Sequence, residues 1–312
     1  MIISVIVASH RPEYIVDCAA SLCSQELPRD CSLDAIVAAD YPVDALAARF
    51  TGIRWLHHAD RSIPAKRNKG IAAARGSIIG FIDDDCRAHP GWAAAAAAYL
   101  AQNSRAAGVE GKTVIECGGT VDGKTSQFKR LERPGFRTNN IAYRSEAIAS
   151  VNGFDERFFE QREDMDLAFS VLAGGGVIDS CESMKVAHAL RPGEPWDLLK
   201  NCINRRFDPL LHTKHRILYR RYIRTPWTPM IALMGATHAA LAAVLMFAPA
   251  WGVLAAALDA AVALAFSLRR NAGGRPRTAR AAADALAYLL SPLALFGALV
   301  HGSIRYRTIL IA

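Results

Sequence analysis

The chain opens on an almost uninterrupted β-branched run, Ile2-Ile3-Ser4-Val5-Ile6-Val7, the pattern of a strand buried on both faces. Glu13–Gln25 then has helical apolar spacing, and Ala35–Ala39 and Ile53–His57 read as a second and a third strand. Pro64–Arg75 is a basic, alanine-rich helix, Ser77–Ile82 is a strand running into three aspartates, and Pro90–Gln102 is a helix with proline at its start. Further on, Leu167–Leu172 reads as a helix that stops at Gly174-Gly175-Gly176. Such strand–helix alternation predicts an α/β domain with a mainly parallel sheet. Ligands of such sheets bind at the carboxyl ends of the strands, where Ser9-His10-Arg11, Asp40 and Asp83-Asp84-Asp85 fall.

The pattern changes after residue 225. Met230–Phe247 carries no charge, and Trp251–Leu268 carries only Asp259. Pro249 between them ends or kinks a helix. A third apolar run, Ala281 to Ile304, is interrupted by Asp284 and Pro292. Helices of about 20 apolar residues match the bilayer core, and three in succession leave a soluble protein no polar faces. The expectation is therefore an all-α membrane region of two to three transmembrane helices.

Charge sharpens the division. The formal net charge is +8, but residues 1–199 sum to −4, residues 200–224 to +7 and residues 225–312 to +5. The basic balance thus belongs to the back third, which argues against a nucleic-acid-binding globule. Arg269, Arg270, Arg275, Arg277 and Arg280 fill the linker between the second and third runs. Lys214, Arg216, Arg220, Arg221 and Arg224 precede the first run, while the Pro249 turn is uncharged. By the positive-inside rule both basic stretches, and residues 1–224 with them, lie in the cytosol. Arg305 and Arg307 fit a third full crossing poorly; a re-entrant or interfacial third helix removes the conflict, and both readings stay open. The N-terminus lacks the basic n-region of a signal peptide. Seven cysteines without a C-x-x-C pair, Cys117 among them, read as free, buried thiols.

Two acidic clusters carry the candidate chemistry. Three adjacent carboxylates at Asp83-Asp84-Asp85 repel one another unless a cation neutralises them, and hard oxygen ligands suit Mg²⁺ or Mn²⁺. The second cluster, Glu160-Gln161-Arg162-Glu163-Asp164-Met165-Asp166, precedes a helix. Alone, the first reads equally as a solvated turn and the second as a helix cap. Together they offer one carboxylate set to hold a metal and another to take a proton.

The order of these features resembles the family 2 glycosyltransferases of GT-A fold. The resemblance rests on Val5-Ile6-Val7-Ala8-Ser9-His10-Arg11, Ala65-Lys66-Arg67-Asn68-Lys69-Gly70, and the D-x-D strand end Phe81-Ile82-Asp83-Asp84-Asp85 followed by Pro90 and Trp92. It continues through Thr138-Asn139-Asn140, Gly153-Phe154-Asp155, the E-D pair Glu163-Asp164 and Val186-Ala187-His188, covering about residues 2–215. It implies a nucleotide-diphospho-sugar across the strand ends, contacted by Ser9, Arg11, Asp40, Arg61, Arg67, Asp83 and Asp84. It implies a Mn²⁺ or Mg²⁺ ion on Asp85, with Asp83 and His188 as further ligands. Asp164 is then the general base of an inverting transfer and Glu163 its support. Two departures stand out: Ala39-Asp40 replaces an acidic pair that reads the base and ribose, and Ala8 stands where proline is common.

The junction adds Arg191-Pro192-Gly193-Glu194-Pro195-Trp196 and an amphipathic stretch, Leu198–Phe207. Trp196, Arg205 and Arg206, with Asn139 and Asn140, are the expected acceptor or lipid interface; simple juxtamembrane charge that sets topology is the equal alternative. The expected division is a GT-A catalytic domain over 1–199, a basic collar over 200–228 and a membrane region over 229–312. The expected protein is a multi-pass enzyme of the cytoplasmic (inner) membrane, acting on a lipid-linked or envelope-glycan acceptor. Without a Q-x-x-R-W motif, a single transfer is favoured over processive addition. A nucleotidyltransferase would carry a glycine-rich loop after the first strand, which Ala8-Ser9-His10-Arg11 lacks. A degenerate scaffold would not need both acidic clusters.

Overall fold

The computed structural model describes residues 1–116, 129–190, 193–271 and 278–310; Cys117, Arg191, Pro192, Arg275 and Arg277 lie outside the described residues. These fall into two compact units, 1–116 with 129–190 and 193–271 with 278–310.

The first unit is built on one eight-stranded sheet in the order β3-β2-β1-β4-β7-β6-β8-β5. One half is the parallel sheet that the strand–helix alternation predicts. β1 (Ile2–Ser9) lies between β2 (Ser32–Ala39) and β4 (Ile78–Phe81), and β3 (Ile53–His57) is outside β2, all parallel. The other half is mixed. β7 (Ile141–Arg144) runs antiparallel to both β4 and β6 (Ala106–Glu116). β8 (Val177–Ala189) is parallel to β6, and the short β5 (Cys86–Ala88) closes the edge antiparallel to β8.

Residues Ile3 to Val7 of β1 are fully buried because helices cover both faces. Ile3, Val5 and Val7 meet α1 (Ile15–Cys23) and α4 (Trp92–Gln102) through Ile15, Leu22, Trp92 and Leu100. On the opposite face Ile6 joins Phe81, Tyr143, Phe154 and Leu167 in a second core. There α3 (Ile63–Ala73) lies on β1, entered through Ser62, whose hydroxyl accepts from the Ala65 N–H, and Pro64 in its first turn. Gly70 lets it come close: a Cβ there would stand 2.5 Å from Ile6 Cγ2. Short helices α2 (Asp44–Arg49) and α5 (Ser145–Ser150), and the longer α6 (Glu163–Ala173), complete the unit.

The second unit is helical. α7 (Asp197–Asn204), a 3-10 turn at Arg205–Phe207, α8 (Asp208–Lys214) and α9 (Arg216–Tyr222) precede three long helices. These are α10 (Pro229–Phe247), α11 (Gly252–Arg270) and α12 (Thr278–Arg305), with a tight turn at Pro249–Trp251 between the first two. Three segments, Pro229–Phe247, Pro249–Arg270 and Ala279–Arg305, are long and apolar enough to cross a membrane. Pro292 does not break α12. The carbonyl of Tyr288, which loses its i+4 donor to the proline, accepts the Ser291 hydroxyl at 2.8 Å instead.

α12 differs from its neighbours in its packing. Its start is tied to the stretch before α7, with Arg280 donating to the Gly193 carbonyl. Its middle packs Tyr288 against Met234 and Ala263, with Leu198 of α7 alongside. Leu295 and Leu299 then meet Cys202, and at Gly302 a Cβ would stand 2.2 Å from the Arg206 carbonyl oxygen. Leu286, Leu290, Leu293 and Phe296 form an exposed apolar stripe.

Candidate active site

The carboxyl ends of β1, β2 and β4 converge, and one buried lysine fastens two of them. Lys66 on α3 is fully buried; its Nζ donates to the Ser9 carbonyl at 2.9 Å and pairs with Asp40 Oδ2 at 2.9 Å. The helix that Gly70 brings against β1 therefore carries the countercharge for Asp40. Ser9 donates its hydroxyl to Asp84 Oδ2 at 2.9 Å and shares a 2.8 Å hydrogen bond with the Tyr41 hydroxyl. Burial raises the Asp84 pKa, a rise that the Ser9 hydroxyl opposes. Arg11 is half-buried with its guanidinium over the Tyr14 ring, 5.0 Å from the centroid. Arg61 projects outward, 84% exposed, with Nε 4.0 Å from Asp40.

Next along α3, Arg67 joins the two acidic clusters. It donates to Glu163 Oε1 at 2.7 Å and to Asp83 Oδ1 at 3.1 Å, and lies 5.5 Å from the centroid of the Phe154 ring. Asn68 holds that ring in place, donating to the Phe154 carbonyl and accepting the Phe154 N–H, both at 2.9 Å. Gly153 supplies the turn before it at φ +72°. Residues 67 and 68 thus position both clusters and the loop between them. Burial pushes the Asp83 carboxyl up to about 6, with Arg67 pulling it down and Asp85 and Asp84 adding to the rise.

α6 begins from Arg162 in a left-handed conformation, φ +79°, which turns Glu163 and Asp164 into the site at the helix start. Asp164 accepts the Met165 N–H at 2.7 Å, yet burial and then the Glu163 charge push it up to about 7, against Arg67. A carboxyl that titrates near neutrality is matched to accept a proton at physiological pH.

The pairing of β5 with β8 sets Cys86 opposite His188. His188 Nε2 stands 3.6 Å from Asp85 Oδ1, and Asp85, Cys86 and His188 each offer a ligand atom within 4.8 Å of the others. His188 Nδ1 lies 2.9 Å from the Ala189 carbonyl and donates to it, which leaves Nε2 on the side of Asp85. Burial and the charges of Asp83 and Asp85 raise the Cys86 pKa well above its usual value. The Asp85 carboxylate is a hard oxygen donor that suits Mn²⁺ or Mg²⁺, with the His188 imidazole as a second donor beside it. Asp83 is paired with Arg67 and lies outside this cluster.

The residues expected at an acceptor interface divide. Asn139 and Asn140 are 4% and 1% exposed and serve the sheet. Asn139 donates to the Thr113 hydroxyl at 3.0 Å, while Asn140 accepts from Trp92 Nε1 at 2.8 Å and donates to the Met184 carbonyl at 3.1 Å. Their amides are internal ties, which corrects their expected place at a lipid or acceptor surface. Trp196, Arg205 and Arg206 belong to the second unit: Trp196 is 42% exposed, Arg205 pairs with buried Asp208 at 3.5 Å, and Arg206 lies over the Phe207 ring. Lys66 was not among the expected site residues. A lysine within an alanine-rich helix that must lie flat on a sheet was its only signal.

The half-parallel, half-mixed sheet with its acidic strand-end cluster has the GT-A fold. Among solved structures, the mannosyltransferase PcManGT from Pyrobaculum calidifontis, in complex with GDP-Man and Mn²⁺, is similar with a TM-score of 0.54 at 19% identity, over 98% of this chain and 86% of that one. S. aureus TarS 1–349 in complex with UDP-GlcNAc is similar with a TM-score of 0.53 at 16% identity, over 99% and 93%. The chain spans only 40% of another S. aureus TarS chain, where the TM-score is 0.49. No curated protein matches it. Residues 4–154 match the family described as Glycosyl transferase family 2.

Proposed function

We propose that this chain is a membrane-embedded, metal-dependent, inverting glycosyltransferase that moves one sugar from a nucleotide-diphospho-sugar to a hydroxyl or phosphate acceptor, lipid-linked or part of an envelope glycan. The observation that carries this reading is the Arg67 bridge. It joins Asp83, beside the metal-ligand pair, to Glu163, beside a carboxyl titrating near 7, and so makes one site of two clusters 80 residues apart. Asp85 and His188 would hold the Mn²⁺ or Mg²⁺ ion, whose chemistry is to stabilise charge on a departing diphosphate. Ser9, Arg11, Asp40, Arg61 and Asp84 surround the strand ends where the nucleotide-sugar would lie. Asp164 takes the acceptor proton as the oxygen attacks the anomeric carbon from the face opposite the diphosphate, and one displacement inverts the configuration. Glu163, held by Arg67, keeps its neighbour's pKa high.

The three apolar segments, with basic residues before the first and after the second, support a multi-pass anchor in the cytoplasmic membrane and a cytosolic catalytic domain over 1–199. Residues 200–228 form the basic collar and 229–312 the membrane region. α10 and α11 cross. The contacts of α12 with residues 193–206, from Arg280 at its start to Gly302 near its end, support an in-plane helix whose apolar stripe faces lipid. α7 is too short and polar to cross beside it. This arrangement keeps Arg305 and Arg307 on the cytosolic side.

The test is thermal unfolding of the purified chain with UDP, GDP and other nucleoside diphosphates, each with Mn²⁺ or Mg²⁺. A metal-dependent rise in unfolding temperature with one nucleotide is expected. No shift with any nucleotide in either metal sinks the donor assignment.

A further inference from the structure

Besides the acidic strand-end site there is a basic cavity of about 360 Å³ in the second unit, between α9 and the residues after α12. Its polar lining is His212, Arg216, Arg220 and Arg224; its apolar wall is Ile309 and Leu310. The chain goes to some length to assemble it. Arg216 and Arg220 lie four apart on one face of α9, a like-charge spacing that destabilises a helix unless an anion sits between them. Arg224 reaches the same place by turning back over the end of α9 in a left-handed conformation, φ +67°, with its N–H bonded to the Tyr219 carbonyl at 3.0 Å. A non-glycine residue held there implies a surrounding structure that specifies it. On the other wall Arg307 adopts φ +51°, and the Leu310 N–H bonds to the Ser303 hydroxyl at 3.2 Å, which turns the chain back after α12 and leaves Ile309 and Leu310 lining the cavity.

The floor is rigid. Tyr219 is buried, donates its hydroxyl to fully buried Asp208 at 2.9 Å, and stands edge-on to His212 with ring centroids 5.3 Å apart. His212 Nδ1 is buried without a hydrogen-bond partner. Three arginines and a histidine therefore line one space, and among the described residues none of the three arginines has a carboxylate partner. A guanidinium cluster matches phosphate oxygens in charge and geometry.

Position selects the source of the phosphate. α9 ends seven residues before α10, and Ile309 and Leu310 follow α12 by four and five, so both walls grow from the ends of apolar helices. Charge that merely set topology would need neither a shared cavity nor an apolar wall. We propose that this cavity binds the phosphate headgroup of an anionic membrane phospholipid, with Ile309 and Leu310 against the start of its acyl chains. The site rests on the membrane reading of α10 and α11 but not on the transfer chemistry.

Native mass spectrometry of the full chain in detergent, titrated with phosphatidylglycerol or phosphatidylcholine, tests it. Wild-type protein should take its first phosphatidylglycerol at a concentration at least tenfold below that needed for phosphatidylcholine. Arg216→Gln with Arg220→Gln should abolish that preference, and Arg130→Gln, in the other unit, should keep it. Should the double variant lower the unfolding temperature, Arg224→Gln alone on the cavity wall should still reduce the preference severalfold. Equal binding of both lipids, or a preference that survives in the double variant, overturns the proposal. Displacement of phosphatidylglycerol by millimolar inorganic phosphate overturns the lipid assignment in favour of a free-phosphate site. Alkaline carbonate extraction of membranes reads the membrane assignment separately: a chain released as soluble protein overturns that reading, whereas an integral chain without lipid preference overturns only the cavity.

Discussion

Replacing Asp164 by Asn separates two consequences of one buried carboxyl. In the folded chain this group titrates at about 7, against an ordinary value of 3.8. A raised pKa means that the native state holds the proton more tightly than the unfolded chain does. The associated stability is complete below pH 3.8 and is lost as pH rises through 7. Above pH 7 the ionised carboxylate therefore costs the fold up to about 4 kcal/mol, at ~1.36 kcal/mol per pH unit of displacement. Asp164 retains partial contact with water, which reduces the expected cost to about 1–2 kcal/mol. Asn is isosteric and uncharged, and its side-chain oxygen can still accept the Met165 N–H that Asp164 accepts at 2.7 Å.

Asp164→Asn should accordingly be more stable than wild type by about 1–2 kcal/mol at pH 8.5, with the gap closing as pH falls towards 4. Transfer should fall about 10²–10⁴-fold, the usual contribution of a positioned base. Thermal unfolding at several pH values and release of nucleoside diphosphate from the donor measure the two effects on one preparation. A variant less stable than wild type at pH 8.5 refutes the buried-charge argument. One that keeps its transfer rate refutes the base assignment, whatever its stability. In the wild-type enzyme kcat/KM should decline as pH drops below about 7, because the base is then protonated.

Arg67→Met leaves Glu163 and Asp83 without their shared cation, and should cost about 3–5 kcal/mol in unfolding free energy. That loss should be larger at pH 8 than at pH 5, where protonation relieves Asp83. Asp85→Asn should weaken Mn²⁺-dependent nucleoside-diphosphate binding by about tenfold or more in calorimetry, while metal-free binding is unchanged; an equal loss in both sinks the ligand assignment. Gly70→Ala should cost about 1–3 kcal/mol in unfolding free energy because its Cβ meets Ile6 Cγ2 at 2.5 Å, and it should cost much less in an Ile6→Ala background, which lacks that methyl. In a chain whose native cysteines, of which Cys23 is exposed, are replaced by serine, a single cysteine placed after Leu310 should be labelled by an impermeant maleimide only from the side that carries the catalytic domain; labelling from the opposite side refutes the in-plane reading of α12.

What could be read in the sequence was what local chemistry decides. Ile53–His57 was legible to the residue because its apolar run is short and bounded by turns. α4 begins at Trp92 instead of Pro90 because the Trp92 N–H closes a turn onto the His89 carbonyl at 2.9 Å. β6 and β8 escaped notice because each is half-exposed and laced with polar residues, Glu, Lys and Thr in β6 and Asp, Ser, Glu and Lys in β8. Their pairing is set by a neighbour some seventy residues away, not by their own pattern. The acidic clusters were visible as compositions, but what makes them a site was not. Lys66 and Arg67 looked like two more charges on a basic helix. They are buried because parallel pairing of β1 with β2 brings Ser9 and Asp40 under residue 66, and because α6 starts at Glu163, ninety-six residues beyond Arg67. Asn139-Asn140 misled for the complementary reason: two polar amides beside a strand look like a binding surface until the Trp92 indole and the Met184 carbonyl claim one of them. Which carboxylate is raised, which is paired and which is left for a metal follows from those long-range partners. The catalytic assignment therefore depends on α3 as much as on the acidic motifs it connects.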